Sequence, residues 1–509
     1  MTTKTKSNIH VHIFRRDFRL KDNTALYECW NTRNSDEYPQ FDKILGIFIF
    51  TPQQVTEKNK YKSEHAIQFM IESLQSLNHE MNNNLGILYG DESDILKSLL
   101  KNKEVVSISW NRDYTPYSKK RDENMRKIIK SHHKNSKQST ISTPMALSFH
   151  DLYLVPPAEG FVYPSSKTPE DVYTVFTPFY KAVISELNKR KPKIKPSVSR
   201  SIKWTSLASL KHPPKKSQQI TLSDALIKFV GKEASPKVNV EGGRDAGVYR
   251  LTKIKRGDFD KYTNCRDCLT YETTYLSAYL KFGCVSVREA YEAMNDAPSS
   301  NAGKNMIREL IWRDYFGHIL NRYPRLLGEP YQEKFKNIQW RTNREQWEAW
   351  KSGRTGFPVV DAGMRQMNAT GYMHNRCRMI VSSFLVKLLR MDWRKGERYF
   401  AQTLVDYDVA SNNGGWQDSA GSGAGSQPYF RIFNPWTQAK DYDPNVKYIK
   451  QWIPELSDLS SEEILNWDKE DVRERCREKY NSLDYPDPII DYKEERKKTL
   501  SMFKKVFKG

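Results

Sequence analysis

Four short apolar runs near the N-terminus limit the fold most narrowly. Residues 9–14, 44–50, 86–89 and 105–110 are brief, rich in Ile, Val, Leu and Phe, and bounded by polar segments, so they read as buried strands. Between the second and third, residues 66–81 place Ile67, Met70, Ile71, Leu74 and Leu77 at the three-and-four spacing of one helical face. Strand, helix, strand at this rhythm predicts a parallel sheet with helices on both faces, a Rossmann-like α/β domain over residues 1–135. No GxGxxG follows the first strand, so the ordinary dinucleotide fingerprint is absent.

From 136 to 220 the periodicity dissolves. Pro156, Pro157, Pro164, Pro169, Pro178, Pro192, Pro196, Pro213 and Pro214 punctuate it, together with the basic run NKRKPKIKP, and the stretch reads as a long connector. Residues 221–509 are expected to form an all-helical domain rich in Trp and Tyr. Its most informative tract is Gly371 to Pro435. There Met373, Cys377, Ile380, Val381, Phe384, Leu385, Leu388 and Leu389 mark one apolar helical face, with Asn375, Arg376, Arg378 and Met379 set among them. Polar groups that close to a buried stripe require partners, in the protein or in a ligand.

The formal charge of +21 attracts polyanions, nucleic acid first. Six unevenly spaced cysteines point to an intracellular, reducing compartment, nuclear or cytoplasmic. Cys265 and Cys268 form a lone CxxC without a second ligand pair, so no metal is expected. No signal-peptide pattern opens the chain, and no run of about eighteen apolar residues predicts a membrane span.

FRRDFRLKDNTAL from Phe14, ELIWRDYF from Glu309, WKSGRTGFPVVDAGMRQMNATGYMHNR from Trp350, DWRKGERYF and NNGGWQ stand in an order that resembles the photolyase/cryptochrome family. The resemblance runs from near residue 9 to about Tyr492. It is closest to a class I-type photolyase for cyclobutane pyrimidine dimers, and it implies light-driven DNA repair with reduced FAD. It places the cofactor against Tyr262, Thr273, Thr274, Tyr275, Leu276, Ser277, Arg378, Asp406, Tyr407, Asp408 and Asn412. Trp416, Trp393 and Trp340 are implied as an electron wire. Glu309, Trp312, Asn375 and Met379 are implied as the lesion pocket, and Arg266, Arg313, Arg376, Arg431 and Gln438 as the DNA clamp. The implied partner is ultraviolet-damaged DNA, bound by a monomer without sequence preference.

Several positions refine the resemblance. Thr274 and Ala278 stand where Ser and Pro are common, and Asn412 favours a photolyase, since plant cryptochromes carry Asp there and animal ones Cys. His374 stands alone, against specificity for the (6-4) photoproduct. Asp418 replaces a second lesion-stacking Trp, with Tyr429 as a substitute aromatic; this favours the alternative of a cryptochrome-type photoreceptor without repair. An antenna chromophore, folate or deazaflavin, is implied for the first domain, yet the folate-contacting carboxyl is missing around Asn111 to Tyr117.

Overall fold

The computed structural model describes residues 8–134, 144–157, 172–198, 200–231, 240–425, 431–480 and 483–508. The four apolar runs are strands β1 (Ile9–Phe14), β2 (Lys43–Phe50), β3 (Gly86–Tyr89) and β4 (Val105–Asn111), almost wholly buried. Helix α1 (Glu64–Glu80) makes the β2–β3 crossover, its start capped by Ser63. A fifth strand, β5 (Met145–Phe149), completes an all-parallel sheet in the order β3-β2-β1-β4-β5. It lies in the stretch read as connector, as does α2 (Phe176–Lys189). All five β5 side chains are only partly buried, so the strand lacks the continuous apolar run that marks the other four.

The rest of the described chain is helical. The elements that matter below are α3 (Leu276–Phe282), α4 (Ser300–Arg322), α5 (Arg344–Ser352), α6 (Pro358–Thr370) and α7 (Asn375–Ser383). They are followed by α8 (Trp393–Thr403), α9 (Val409–Ala420), α10 (Pro435–Tyr442) and α11 (Tyr492–Lys508). All eight apolar residues of the expected face around α7 are buried. The helix is nevertheless not continuous. Phe384–Leu388 form a π turn, with Leu389 N–H bonding to the Phe384 carbonyl, which inserts one residue into the helical register.

The sheet and the helical part share one core, in which Phe14, Phe18 and Phe48 pack with Leu276, Phe282, Leu310 and Tyr315. At the sheet's switch point, between β1 and β4, ligands ordinarily sit beyond the strand ends. Here Arg15 pairs with Glu92 at 3.0 Å and with Asp122, and Arg16 reaches over to Asp408 at 2.7 Å. Gly283, at φ 68°, lets the two parts approach, since a Cβ there would lie 2.1 Å from the Arg16 carbonyl oxygen.

Candidate functional site

The site forms where α3, α4, α7 and α9 converge. Arg378, on α7, donates to both Asp406 oxygens at 3.1 and 2.9 Å and to the Met373 carbonyl at 2.8 Å. The Ser277 hydroxyl, on the first turn of α3, donates to Asp406 at 2.6 Å. Asp406 is buried whereas Arg378 keeps about a quarter of its side-chain surface, so the clamp is anchored on one side and open on the other. Thr273 meets the Tyr372 hydroxyl at 3.4 Å; Tyr275, at φ 51°, turns the chain into α3 and its ring packs edge-on to Tyr372. Leu276 is buried beneath them, Thr274 is part-exposed on the same loop, and Tyr262 is part-exposed at the start of the short helix Tyr262–Cys265.

Asp408 and Tyr407 are committed elsewhere. One Asp408 oxygen caps α9 through Ser411 N–H at 3.1 Å and the other receives Arg16; Arg16 and Arg313 hold this carboxyl, despite its burial, far below its usual range. The Tyr407 ring stacks on Tyr61 at 6.3 Å and beneath Lys281. Both side chains, expected at the cofactor, also make these contacts within the protein. They join the two halves of the fold.

Asn412 donates to the Glu397 carbonyl at 3.1 Å, and its own amide oxygen accepts no bond among the described residues. Asn413 donates to the Glu397 carboxyl at 2.9 Å. Burial pushes that carboxyl up to about 7, against the Asn413 hydrogen bond. Sequence reasoning missed Glu397, although the one acid within Trp393–Thr403, on the buried face of an amphipathic helix, was a usable signal.

Trp416 is buried, with its indole N–H unpartnered among the described residues. Gly396 permits its position, because a Cβ there would lie 2.1 Å from the indole. Its ring contacts run to Phe400 at 4.9 Å and Trp350 at 6.3 Å, and Trp350 stacks on the part-exposed Trp347 at 5.3 Å. Trp393 is buried and Trp340 half-buried in the same core, but no ring contact among the described residues joins either to Trp416.

On the open side, α4 presents Glu309 and Trp312. Arg266 reaches Glu309 at 3.3 Å, and Arg376 pairs with Asp267 at 2.8 Å. Crowding by the surrounding wall raises the Glu309 carboxyl, against the pull of Arg266 and Arg308, although 45% of its side-chain surface stays exposed. Asn375 and Met379, one turn apart on α7, are both exposed. One face of Trp312 lies flat on Phe176, at 3.5 Å and 3°. Arg313 does not join the rim; it donates to the Leu152 carbonyl at 2.7 Å and lies over Tyr153. Arg431 is exposed and Gln438 half-buried on α10. Asp418 lines a small cavity of about 20 Å³ between α4 and α9, where its charge, after burial, raises the Tyr315 hydroxyl. Tyr429 lies outside the described residues. His374 is buried, which pushes its imidazole down to about 4, and it accepts the Arg376 N–H at the start of α7.

A parallel α/β sheet docked on a helical domain, with an open hydroxyl–arginine clamp at their junction, is the two-part architecture of the photolyase class of flavoproteins. The chain belongs to the DNA photolyase family. Residues 10–197 match the DNA photolyase model and residues 306–505 the model for the FAD binding domain of DNA photolyase. The deoxyribodipyrimidine photo-lyases of Escherichia coli and Alkalihalophilus pseudofirmus are 32% and 35% identical, over 98% and 96% of this chain and 99% and 97% of theirs. The class III photolyase from Agrobacterium tumefaciens superposes with TM-score 0.83 at 28% identity, covering the whole of both chains. The Sulfolobus tokodaii photolyase, solved with two FAD molecules, has TM-score 0.77 at 34% identity over 98% of this chain and all of its own.

FAD is the cofactor, and the donor set suits it. Thr273, Thr274 and Arg378 offer hydroxyl and cationic donors for phosphates, on a clamp that Ser277 helps to anchor through Asp406. The unpaired Asn412 oxygen offers a fixed acceptor. No helix among the described residues is long and apolar enough to cross a membrane.

Proposed function

We propose that the chain splits cyclobutane pyrimidine dimers in ultraviolet-damaged DNA, binding as a monomer and recognising the lesion rather than the sequence. When bound, reduced FAD supplies the light-driven electron; the protein supplies position, dielectric and exclusion of water. Ser277, Arg378 and Asp406 hold the cofactor, and the Asn412 amide stands at its reactive edge, oriented by the Glu397 carbonyl. The observation that carries the reading is the open rim. Glu309, Asn375 and Met379 stay exposed beside buried neighbours, an acid, an amide and an apolar side chain on α4 and α7, whose rims the Arg266–Asp267 turn bridges.

A flipped dimer fits that space. Glu309 hydrogen-bonds the base edge, Met379 packs against the bases, and Trp312, backed by Phe176, offers its remaining face for stacking. Arg266, Arg376, Arg431 and Gln438 hold the backbone without reading sequence. Electrons that restore the cofactor's reduced state have two candidate routes, the expected Trp393–Trp340 wire and the contacting Trp350–Trp347 pair.

Illuminating a dimer-containing duplex with the reduced protein should restore thymines, read by chromatography of the bases. No restoration sinks the proposal. Asp418 favours the second reading, a photoreceptor without repair, and the same assay separates the two; a Synechocystis cryptochrome also superposes, with TM-score 0.80 at 25% identity.

A further inference from the structure

Four of the six cysteines, Cys29, Cys284, Cys377 and Cys476, are buried; Cys265 and Cys268 are part-exposed. Cys265 ends the short helix Tyr262–Cys265, and Cys268 N–H donates to its carbonyl at 2.9 Å. A turn closed in this way keeps the two Cα atoms within about 7 Å, the range a disulfide spans. The thiols already interact: burial and then the Cys265 thiol push the Cys268 thiol up. No group of three or more metal-ligating side chains surrounds them among the described residues.

The two residues inside this turn are Arg266 and Asp267. Arg266 reaches Asn305 at 3.4 Å and Glu309 at 3.3 Å, and Asp267 holds Arg376 at 2.8 Å. Just beyond, Leu269 N–H is fixed to the Tyr442 carbonyl at 3.0 Å. The turn therefore has a firm exit and carries a partner for each side of the rim.

We infer that Cys265 and Cys268 are a thiol–disulfide modification site, oxidised by low-molecular-weight disulfides, whose closure weakens the grip on damaged DNA. One thiolate attacks the small disulfide, forming a mixed disulfide and releasing one thiol. The second cysteine displaces the other half. One protein disulfide forms, the small disulfide is reduced by two electrons, and the two cysteine protons leave on two small thiols. Closure fixes the two Cβ atoms at about 3.8 Å and so rigidifies the turn that carries Arg266 and Asp267, which then cannot adjust their contacts with Glu309 and Arg376 to an entering strand. The effect on DNA rests on the rim being the DNA site.

The test equilibrates the full-length, flavin-loaded protein in glutathione buffers of increasing oxidation. Peptide mass and anisotropy with a dimer-containing duplex are read together. The expected result is loss of two hydrogens on the peptide holding both cysteines. Affinity should fall at least about fivefold, as for a lost phosphate contact, and dithiothreitol should restore it. Cys265→Ser and Cys268→Ser should keep the reduced affinity in every buffer. Absence of the disulfide, a stable glutathione adduct on one cysteine, or a disulfide without change in affinity overturns the inference. If neither form binds the duplex, the DNA reading of the rim and the coupling both fall, while the mass still decides the disulfide.

Discussion

Truncating Glu309 to alanine isolates one hydrogen-bonding group on an otherwise intact rim. A hydrogen bond to a charged acceptor contributes about 1.5–3 kcal/mol, so Glu309→Ala should lower the repair yield about tenfold while changing duplex affinity less than about threefold. An unchanged yield would show that the exposed carboxylate has no part in splitting. Glu397 makes a different test, because its partners are fixed by the fold: Asn413 at 2.9 Å and the Asn412 amide on its carbonyl. Its folded pKa, about 7, lies above the ordinary 4.5, so the folded protein holds the proton over that interval. The stability linked to that proton is fully present below about 4.5 and lost as pH rises through about 7. Glu397→Gln keeps an acceptor for Asn413 and should flatten this dependence, gaining about 2 °C or more in Tm relative to the parent between pH 5 and pH 8. Parallel pH profiles would remove Glu397 from the account. The Arg378–Asp406 pair, which the resemblance placed near the flavin, was legible in the motifs. The commitment of Asp408 to Arg16 was not, since nothing local marks a partner 392 positions away.

At the scale of elements, α5 and α9 carry one of the two proposed electron routes to the buried centre. Trp416 on α9 contacts Trp350 on α5, and Trp347, one helical turn earlier, is part-exposed beside Tyr399 at 6.1 Å. Trp350→Phe should cut the yield of light-driven flavin reduction by about half or more, measured by transient absorption with an external thiol as donor. If Trp393→Phe alone abolishes it and Trp350→Phe leaves it intact, the contacting pair is a packing feature. The π turn after α7 belongs to this scale too. Periodicity located the buried face through Leu389, but the inserted register change buries Lys387, whose ammonium donates to the Ala420 carbonyl at the end of α9. Burial pushes that lysine down to about 7. A helical pattern counts apolar positions and cannot register one extra residue per turn. It missed β5 for a related reason, since a half-buried edge strand of five residues has no distinctive run.

For the whole molecule, the net charge of +21 sets the long-range field, and the proposed function assigns the contacts with DNA to arginines at the rim. With Arg266, Arg376 and Arg431 each neutralising one phosphate, log affinity should fall against log salt with a slope near about −2.7. Arg376→Ala should reduce its magnitude by about 0.9, whereas Arg313→Ala should leave it unchanged, because Arg313 is spent on the Leu152 carbonyl. A reduced slope for Arg313→Ala would return it to the clamp. By itself the sequence determined the parallel sheet, the helical second half and the family, because burial periodicity and contiguous motifs are local properties of the chain. The tertiary structure alone decided that Phe176 backs Trp312, that Trp350 rather than Trp393 touches Trp416, and that Arg16 locks Asp408 across the two halves. Those choices join residues far apart in sequence, and they are set by which surfaces fill space and satisfy buried charge together.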